Sequence, residues 1–343
     1  MNGTNTNREL LTSSRTTTAL NCLRQHYYRY ELGLRSTEDA DALLFGTAVH
    51  AALQARANGA KFDDLFQIEK VENFTDAKLY GLVGGYYRAY EGEGDAIETM
   101  KPEIEFGPDP ICGSRTFFGA GKIDGLATLK DGRTALVEHK TTGEDISDGA
   151  DYWLRLSFNP QLYKYWIALD DRGITPDTVI YDVIRKPTIK PGKDETPQEF
   201  ALRLLEDCTG DAVQATTKDG KPRFSPSGAP MMAKRGRDFY FKRREVAITS
   251  AMVNEYKVQT RAVCHILTYI KSEARDVAEK GGDPATAWPR NCNGFACDNC
   301  AYRTICHGRV TIDRDCPPAG FRIVPPNEEI SVRLPGPEAD GMK

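Results

Sequence analysis

The chain has 343 residues, 40% of them hydrophobic and 27% charged, which allows one large domain or two ordinary ones. Its formal net charge of −4 argues against a protein that holds duplex DNA by bulk charge, although a local basic groove remains compatible with it. The longest apolar runs are too short to span a bilayer and the first residues are polar, so we expect a soluble, cytoplasmic protein without a targeting segment or membrane partner.

The first part of the chain is predicted to be a disordered leader followed by helices. Residues 1–12 are polar, and the tyrosine-rich helix after them contains Cys22. A second helix is predicted over 43–58, with His50 among alanines, and a third over 62–90. A single helical cysteine or histidine is by itself more often a buried core residue than a metal ligand.

The strongest pattern is a hairpin over residues 116–142, whose two strands are joined by the turn signal Asp131–Gly132. Polar residues interrupt its apolar strands. Asp124 lies in the first strand, and Glu138 and Lys140 lie two apart in the second, so the latter two share a face. Antiparallel pairing through the turn brings Asp124 close to them.

Two carboxylates and an ammonium group on one sheet face have two interpretations. Carboxylate oxygens suit a hard cation such as Mg²⁺ or Mn²⁺, which activates water and stabilises charge on a phosphate. A surface salt-bridge cluster on a half-exposed hairpin would have the same residues, and a pattern this short is common. The hairpin alone therefore leaves both interpretations open.

The second half of the chain is predicted to alternate helices and strands. A helix is expected over 151–169, a strand over 178–185 and a long helix over 250–279. Residues 186–245 change in character and are interpreted as an insertion or arm. Within them, 234–244 interleave basic and aromatic residues, which indicates either a nucleic-acid contact surface or a solvated strand edge.

Residues 288–306 contain a cysteine cluster with a C-x2-C pair, which presents two thiolates to one metal. Four of these cysteines, Cys292, Cys297, Cys300 and Cys306, could complete a zinc site. Alternatively, Cys22 joins three of them around an iron–sulfur cluster and ties the N-terminal helix to the C-terminal region.

Several motifs follow one another in a specific order. After Cys22 come G-x-x-x-H at 46–50, G-x-I-D at 121–124, V-E-H-K-T at 137–141, Q-L-Y-x-Y at 161–165 and C-x2-C-x-Y-x3-C at 297–306. In this order they resemble the RecB-like branch of the PD-(D/E)XK nuclease superfamily. They are most similar to its iron–sulfur members, such as the AddB nuclease domain and the CRISPR-associated RecB-like exonucleases.

The resemblance implies an α/β fold with a restriction-endonuclease-like core, in which helices flank a mixed central sheet. It implies a single nuclease domain over 13–316, with the insertion at about 186–245 and the iron–sulfur region at 288–306. Residues 317–343 are expected to form an extended tail.

The resemblance also assigns roles to residues. His50, Asp124 and Glu138 would be metal ligands, with the His139 carbonyl as a candidate fourth, and Lys140 would be the catalytic lysine. Gln161 and Tyr165 would support the site and contact DNA. Glu105, or in second place Glu103, matches an acidic position before the hairpin. The cluster ligands would be Cys22, Cys297, Cys300 and Cys306, with Cys292 competing with Cys297.

The implied activity is that of a Mg²⁺- or Mn²⁺-dependent DNA exonuclease that acts on single-stranded ends in recombination or repair. Metal-activated water would attack the phosphodiester. The cofactor set would include a 4Fe–4S cluster, with Zn²⁺ as the alternative, and the source would be a phage or a bacterium. The competing hypothesis is a non-catalytic DNA-binding or recombination accessory protein on the same fold.

Overall fold

The structure, a computed structural model, describes residues 8–38, 41–92 and 95–333. The strands are β1 (Glu9–Leu11), β2 (Leu34–Ser36), β3 (Ile97–Pro110), β4 (Phe117–Leu129), β5 (Thr134–Thr142), β6 (Thr178–Arg185), β7 (Val213–Gln214), β8 (Met232–Lys234), β9 (Phe241–Val246) and β10 (Phe321–Ile323). The helices are α1 (Ser13–Asn21), α2 (Leu23–His26), α3 (Asp41–Ala57), α4 (Phe62–Leu65), α5 (Phe74–Ala89), α6 (Asp151–Ser157), α7 (Pro160–Asp170), α8 (Pro197–Asp207), α9 (Arg237–Tyr240), α10 (Ser250–Glu279), α11 (Gly294–Asp298) and α12 (Arg303–His307). A π-helical turn (Tyr27–Glu31) and two 3-10 turns (Ile68–Lys70 and Pro284–Ala287) complete the helical segments.

A mixed sheet forms the centre of the molecule, in the order β1-β4-β5-β6-β9, with β3 on the other edge of β4. The pairs β1–β4 and β5–β6 are parallel, and the remaining pairs are antiparallel. Helices cover both faces. The mixed α/β fold that the sequence predicted is therefore confirmed, including the hairpin of β4 and β5 around Asp131–Gly132.

The sheet has a gap along one edge of β4. β1 pairs with this edge at 117–119, and β5 pairs with it at 125–128. Between these two stretches, residues 120–124 have no ladder partner on that side within the described chain, while β3 follows the opposite edge. The gap leaves polar backbone groups of β5 open beyond Val137.

The two faces of the sheet carry separate cores. On one face, Leu136 and Tyr181 pack against Leu162 of α7. On the other, Ile184 packs with Val49 of α3 and with side chains of α5 and α8. Close contact between α5 and α8 requires glycine in α5, because a Cβ at position 85 would lie 2.4 Å from the Cβ of Cys208.

A third core joins the two ends of the described chain. Leu11, Tyr28 and Leu34 pack with Trp288 and Tyr302, and α10 crosses the same cluster. β10 pairs antiparallel with β2 and adds the segment after residue 320 to this core. No helix in the described ranges is both long and apolar enough to cross a membrane.

The N-terminal expectations need correction. Residues 9–11 form β1 and pair with β4, so this part of the predicted leader is a strand, while 1–7 lie outside the described residues. Cys22 does not lie inside a helix: its extended backbone (φ −161°, ψ 118°) separates α1 from α2. The predicted helix over 62–90 is interrupted after α4, and α5 begins only after the Asn73 cap.

The C-terminal expectations also need correction. The helix expected over 151–169 is broken where Asn159 caps α7 and Pro160 occupies its first turn. The proposed insertion over 186–245 divides into two kinds of structure: α8, packed on α5, and β9, a strand of the central sheet, belong to the core, whereas residues 211–235 are exposed or only partly buried. The tail contains β10 and the buried Ile330, while 334–343 lie outside the described residues.

Candidate active site

The candidate site lies where β4 and β5 separate. Their ladder ends at the pair Gly125–Val137, and continuing this register places Asp124 opposite Glu138. The backbone amide of His139 finds no strand partner there and instead donates to Oδ2 of Asp124 at 2.9 Å. Asp124 therefore caps the open end of β5, which fixes one carboxylate next to the other.

A hydrogen-bonded chain leads from the sheet to α7. Glu138 is 1% exposed, and its Oε1 accepts a hydrogen bond from Nζ of Lys140. Lys140 also donates to Oε1 of Gln161 at 2.9 Å, and Nε2 of Gln161 donates to the Tyr165 hydroxyl at 2.7 Å. Each group in this chain is oriented by the next, so the ammonium group has a defined position beside the carboxylates.

His50 approaches the same point from α3. Its Nδ1 lies 3.8 Å from Oδ1 of Asp124. A glycine one turn earlier allows this approach, because a Cβ at Gly46 would lie 3.2 Å from Oγ1 of Thr141. Burial, with a smaller contribution from His139, lowers the pKa of His50 to about 4. The imidazole is therefore neutral at pH 7, the form that binds metal ions.

Both carboxylates are held in an unfavourable environment for anions. Burial, reinforced by the charge of Asp124 and opposed by Lys140, raises the pKa of Glu138 to about 7. Burial also raises the pKa of Asp124. Oε2 of Glu138 is buried and has no hydrogen-bond partner in the described chain. A bound cation would relieve this penalty, so the site has the electrostatic character of a cation site.

The donor set fits a hard divalent ion in kind, with two carboxylates, an imidazole and a backbone carbonyl nearby. As the side chains stand, however, no three His, Cys, Asp or Glu side chains of the described ranges converge closely enough to hold a metal ion. The ammonium group of Lys140 occupies Oε1 of Glu138. Binding an ion would therefore require Lys140 and His50 to adjust their side chains.

The His139 side chain lies beside a second buried carboxylate, and its ring centroid is 6.0 Å from that of His50. Strand alternation directs it to the opposite sheet face, where its Nδ1 lies 3.1 Å from Oδ2 of the fully buried Asp182. The Tyr86 hydroxyl donates to that same carboxylate, and Arg243 lies 3.4 Å from it. The predicted metal contact of His139 is thus restricted to its backbone carbonyl.

The two upstream acids, Glu105 and Glu103, have different partners in the structure. Glu105 is exposed and accepts hydrogen bonds from the backbone and hydroxyl of Ser331, on the side of the C-terminal segment. Glu103 instead accepts from Gln54 of α3 at 2.7 Å and from Lys122 of β4 at 2.8 Å. Since Gln54 is one turn after His50, this contact links Glu103 to the helix that carries His50.

Two predicted DNA contacts are also revised. Tyr165 is 4% exposed and packs edge-on against Phe106, so its ring supports the site from behind and does not reach a ligand. In the basic segment 234–244, Tyr240 and Phe241 are core residues. Its cations pair with acids, as Arg243 does with Asp95, so this segment offers little free positive charge. The other pairs are Lys234–Glu206, Arg235–Asp207, Arg237–Asp238, Lys242–Asp148 and Arg244–Asp148.

The cysteines gather where the N-terminal helices meet the C-terminal segment. The backbone amide of Asn291 donates to Sγ of Cys22 at 3.4 Å, and the carbonyl of Asn291 accepts from Sγ of Cys297 at 3.5 Å. Burial raises the pKa of Cys300, and the charges of Cys22, Cys306 and Cys297 raise it further. As the side chains stand, however, no three of these thiols converge closely enough to hold a metal ion. Cys292 is exposed, whereas the other four are partly buried.

Lys164 is a buried residue near the site that the sequence did not single out. It is 4% exposed, its ammonium donates to the carbonyl of Leu11 at the end of β1, and burial lowers its pKa to about 7. It lies on α7 three residues after Gln161. Its spacing from Gln161 could have indicated that the two residues share a face of the helix, because positions three apart do so. Nothing in the sequence identified the Leu11 carbonyl as its partner.

Comparison with known proteins identifies the family. The profile of the PD-(D/E)XK nuclease superfamily matches residues 11–307, which include the sheet gap and the cysteine segment. The chain belongs to this superfamily, and membership makes it a nuclease-type hydrolase of a class that uses Mg²⁺ or Mn²⁺ and acts on DNA.

The other comparisons add little. No curated protein matches the chain. A solved structure titled "Crystal structure of SSO0001" matches with 16% sequence identity over 60% of this chain and 76% of that chain, at a TM-score of 0.26. At that TM-score, the likeness carries no weight for fold or function.

Proposed function

We propose that this protein is a divalent-metal-dependent exonuclease of the RecB-like branch, acting on single-stranded DNA ends in recombination or repair. The observation that carries the proposal is the position of Asp124 opposite Glu138, just beyond the last ladder pair of β4 and β5, with Lys140 held beside Glu138 by Gln161. Superfamily membership supports the hydrolytic class. Cleavage without sequence preference is part of the proposal.

The residues would divide the chemistry as follows. Asp124, Glu138 and His50 would hold the ion, with the His139 carbonyl as a further ligand. The bound ion would supply a Lewis acid for the scissile phosphate and lower the pKa of water. Lys140 would offset negative charge that develops on the phosphate. Gln161 and Tyr165 would keep Lys140 from turning away, and Glu103 would fix α3 through Gln54.

We further propose that Cys22, Cys297, Cys300 and Cys306 hold a 4Fe–4S cluster with a structural role. The partial burial of all four thiols supports this set, and the exposure of Cys292 argues for Cys297 as the second ligand. The cluster would tie α1 and α2 to the segment that follows α10. Zinc at the same four thiols is the alternative, and metal analysis of anaerobically prepared protein separates the two.

End-labelled DNA substrates test the activity. Single- and double-stranded oligonucleotides labelled at either end are incubated with Mn²⁺ under anaerobic conditions, with EDTA as the blank. The parent should shorten single strands progressively, and folded Asp124→Ala and Lys140→Ala variants should lose at least 100-fold in rate, an order-of-magnitude estimate for loss of charge stabilisation. Digestion by both variants at the parent rate would show that the site assignment is wrong.

A second candidate function is favoured by the observation that no three His, Cys, Asp or Glu side chains of the described residues converge closely enough to hold a metal ion. In this alternative, the protein binds DNA as a non-catalytic recombination accessory. It predicts equal DNA affinity with and without divalent ions and no shortened or nicked products. Metal-dependent product formation by the parent, lost in both variants, excludes it.

A further inference from the structure

A forked arm leaves the nuclease fold between α8 and β9. β7 and β8 form its stem, with Val213 paired to Lys234. Above the stem the chain makes two short hairpins, closed by the bridges Thr216–Pro222 and Phe224–Pro230. The two hairpins meet where the backbone amide of Arg223 donates to the carbonyl of Ala215. We call residues 211–235 the arm.

The arm has no core of its own. Every residue from 211 to 235 is exposed or only partly buried, including Phe224 at 56% and Met232 at 41% exposure. Small sheets without a buried face are marginal in water. An aromatic side chain on such an arm is therefore available to a partner outside the chain.

The arm also carries free positive charge. Lys218, Lys221 and Arg223 are exposed, and none of them forms an ion pair in the described part of the chain, whereas Lys234 and Arg235 at its base pair with Glu206 and Asp207. The only acid among 213–233 is Asp219. The outer arm thus combines a net positive charge with an exposed aromatic ring, which is the combination that binds single-stranded nucleic acid.

The arm is rooted at the catalytic end of the sheet. Phe241, which begins β9 after the arm, pairs with Ile184 of β6, and Lys140 pairs with Val183 of the same strand. Phe241, which α9 separates from the arm, is therefore about level with Lys140 and two strand spacings away, about 10 Å. The arm therefore leaves the fold at the same end of the sheet as the candidate site.

We propose that the arm is a docking site for single-stranded DNA, which it holds next to the active site by stacking on Phe224 and by contact of its three free cations with phosphates. This inference rests on the proposed nuclease function for the choice of ligand. The arm would raise affinity for long strands and would not take part in bond cleavage.

The test measures binding in the Lys140→Ala background with EDTA, using a fluorescent single-stranded oligonucleotide. Phe224→Ala should weaken binding about tenfold, whereas Met232→Ala, which removes exposed apolar surface without an aromatic ring, should change it less than twofold. Neutralising Lys218, Lys221 and Arg223 together should lower the salt dependence of log Kd by about 2. The matched control neutralises three exposed lysines elsewhere, Lys70, Lys257 and Lys280.

A second variant removes the outer arm. Replacing residues 214–233 by Asn-Gly joins Val213 to Lys234, which face each other in the stem, so the nuclease fold should remain intact. In the active background, this variant should hydrolyse bis-p-nitrophenyl phosphate like the parent and show a raised KM for long strands.

The outcomes separate this inference from the nuclease proposal. If the parent hydrolyses the small diester and every arm variant binds the oligonucleotide like the parent, the arm inference is overturned. If the parent hydrolyses neither substrate, the nuclease proposal fails, and the binding measurements still decide the arm.

Discussion

At the residue scale, the most informative position is Glu103. Its φ of +48° lies in the left-handed region, which is unfavourable for a residue with a side chain. Strain of this kind is retained where the surroundings fix it, often at functional sites. Here Gln54 and Lys122 hold the Glu103 carboxylate, and Gln54 ties it to the helix that carries His50.

We expect Glu103→Gln and Glu105→Gln to differ sharply. Losing the Glu103 carboxylate weakens the anchor of α3 and should lower nuclease kcat about tenfold or more, the order of magnitude for a misplaced site residue. Glu105 faces Ser331, so its substitution should leave the rate within about twofold. Steady-state kinetics on one oligonucleotide checks both, and equal rates for the two variants would contradict the assignment.

The sequence predicted that Asp124 lies near Glu138 and Lys140, because a period-2 pattern and a tight turn determine which strand positions meet. The role of Gln161 was implied only by the family resemblance. The sequence did not rank Glu103 above Glu105. The two acids are two residues apart, so regular strand geometry would place them on the same face, and the positive φ of Glu103 has no signal in a single sequence. The orientation of His139 follows from alternation, but its buried partner Asp182 lies on another strand.

At the element scale, the gap in the sheet depends on β1, which the sequence did not predict. Three residues are too few to show alternation, and this strand is held mainly by tertiary contacts. Lys164 of α7 contributes to them by donating to the Leu11 carbonyl. One of the interruptions in the predicted helices could have been predicted from the sequence, since Asn159–Pro160 is a helix-start signal.

The lowered pKa of Lys164 predicts a pH dependence of stability. Burial lowers its pKa to about 7, below the unfolded value, so between these values the unfolded state binds more protons. Its contribution to stability is therefore present at high pH and is lost as pH falls toward 7. Relative to Lys164→Met, the free energy of unfolding of the parent should rise by roughly 2 kcal/mol from pH 7 to 9.

Urea denaturation of both proteins at the two pH values measures this difference. Other titrating groups contribute equally to parent and variant and cancel. Parallel pH profiles would mean that Lys164 remains charged in the folded protein.

At the scale of the whole molecule, the two ends of the described chain form one structural unit. Arg24 donates to the carbonyls of Trp288 and Pro289, and Asn291 bonds both Asn21 and Cys22. The break in the helix at Cys22 directs its thiol toward this junction. The sequence predicted the connection from the cysteines, while the aromatic core beside it depends on distant packing that no local pattern encodes.

We expect Cys22→Ser to destabilise the protein and to lower its bound iron, because a cross-link across so long a loop contributes about 2–4 kcal/mol in the entropic model. Cys292→Ser is the matched control, since that thiol is exposed, and it should retain iron and stability. Iron analysis and thermal unfolding under anaerobic conditions measure both. Loss of iron in Cys292→Ser but not in Cys297→Ser would reverse the assignment of the second ligand.

The proposed nuclease function depends on one divalent ion that Asp124, Glu138 and His50 bind together. Titration with Mn²⁺, followed by electron paramagnetic resonance, measures that binding without any substrate. The parent should bind Mn²⁺ at least tenfold more tightly than Asp124→Asn, Glu138→Gln or His50→Ala, while Glu105→Gln should match the parent. Parent-like Mn²⁺ affinity in the Asp124 and Glu138 variants would contradict the account.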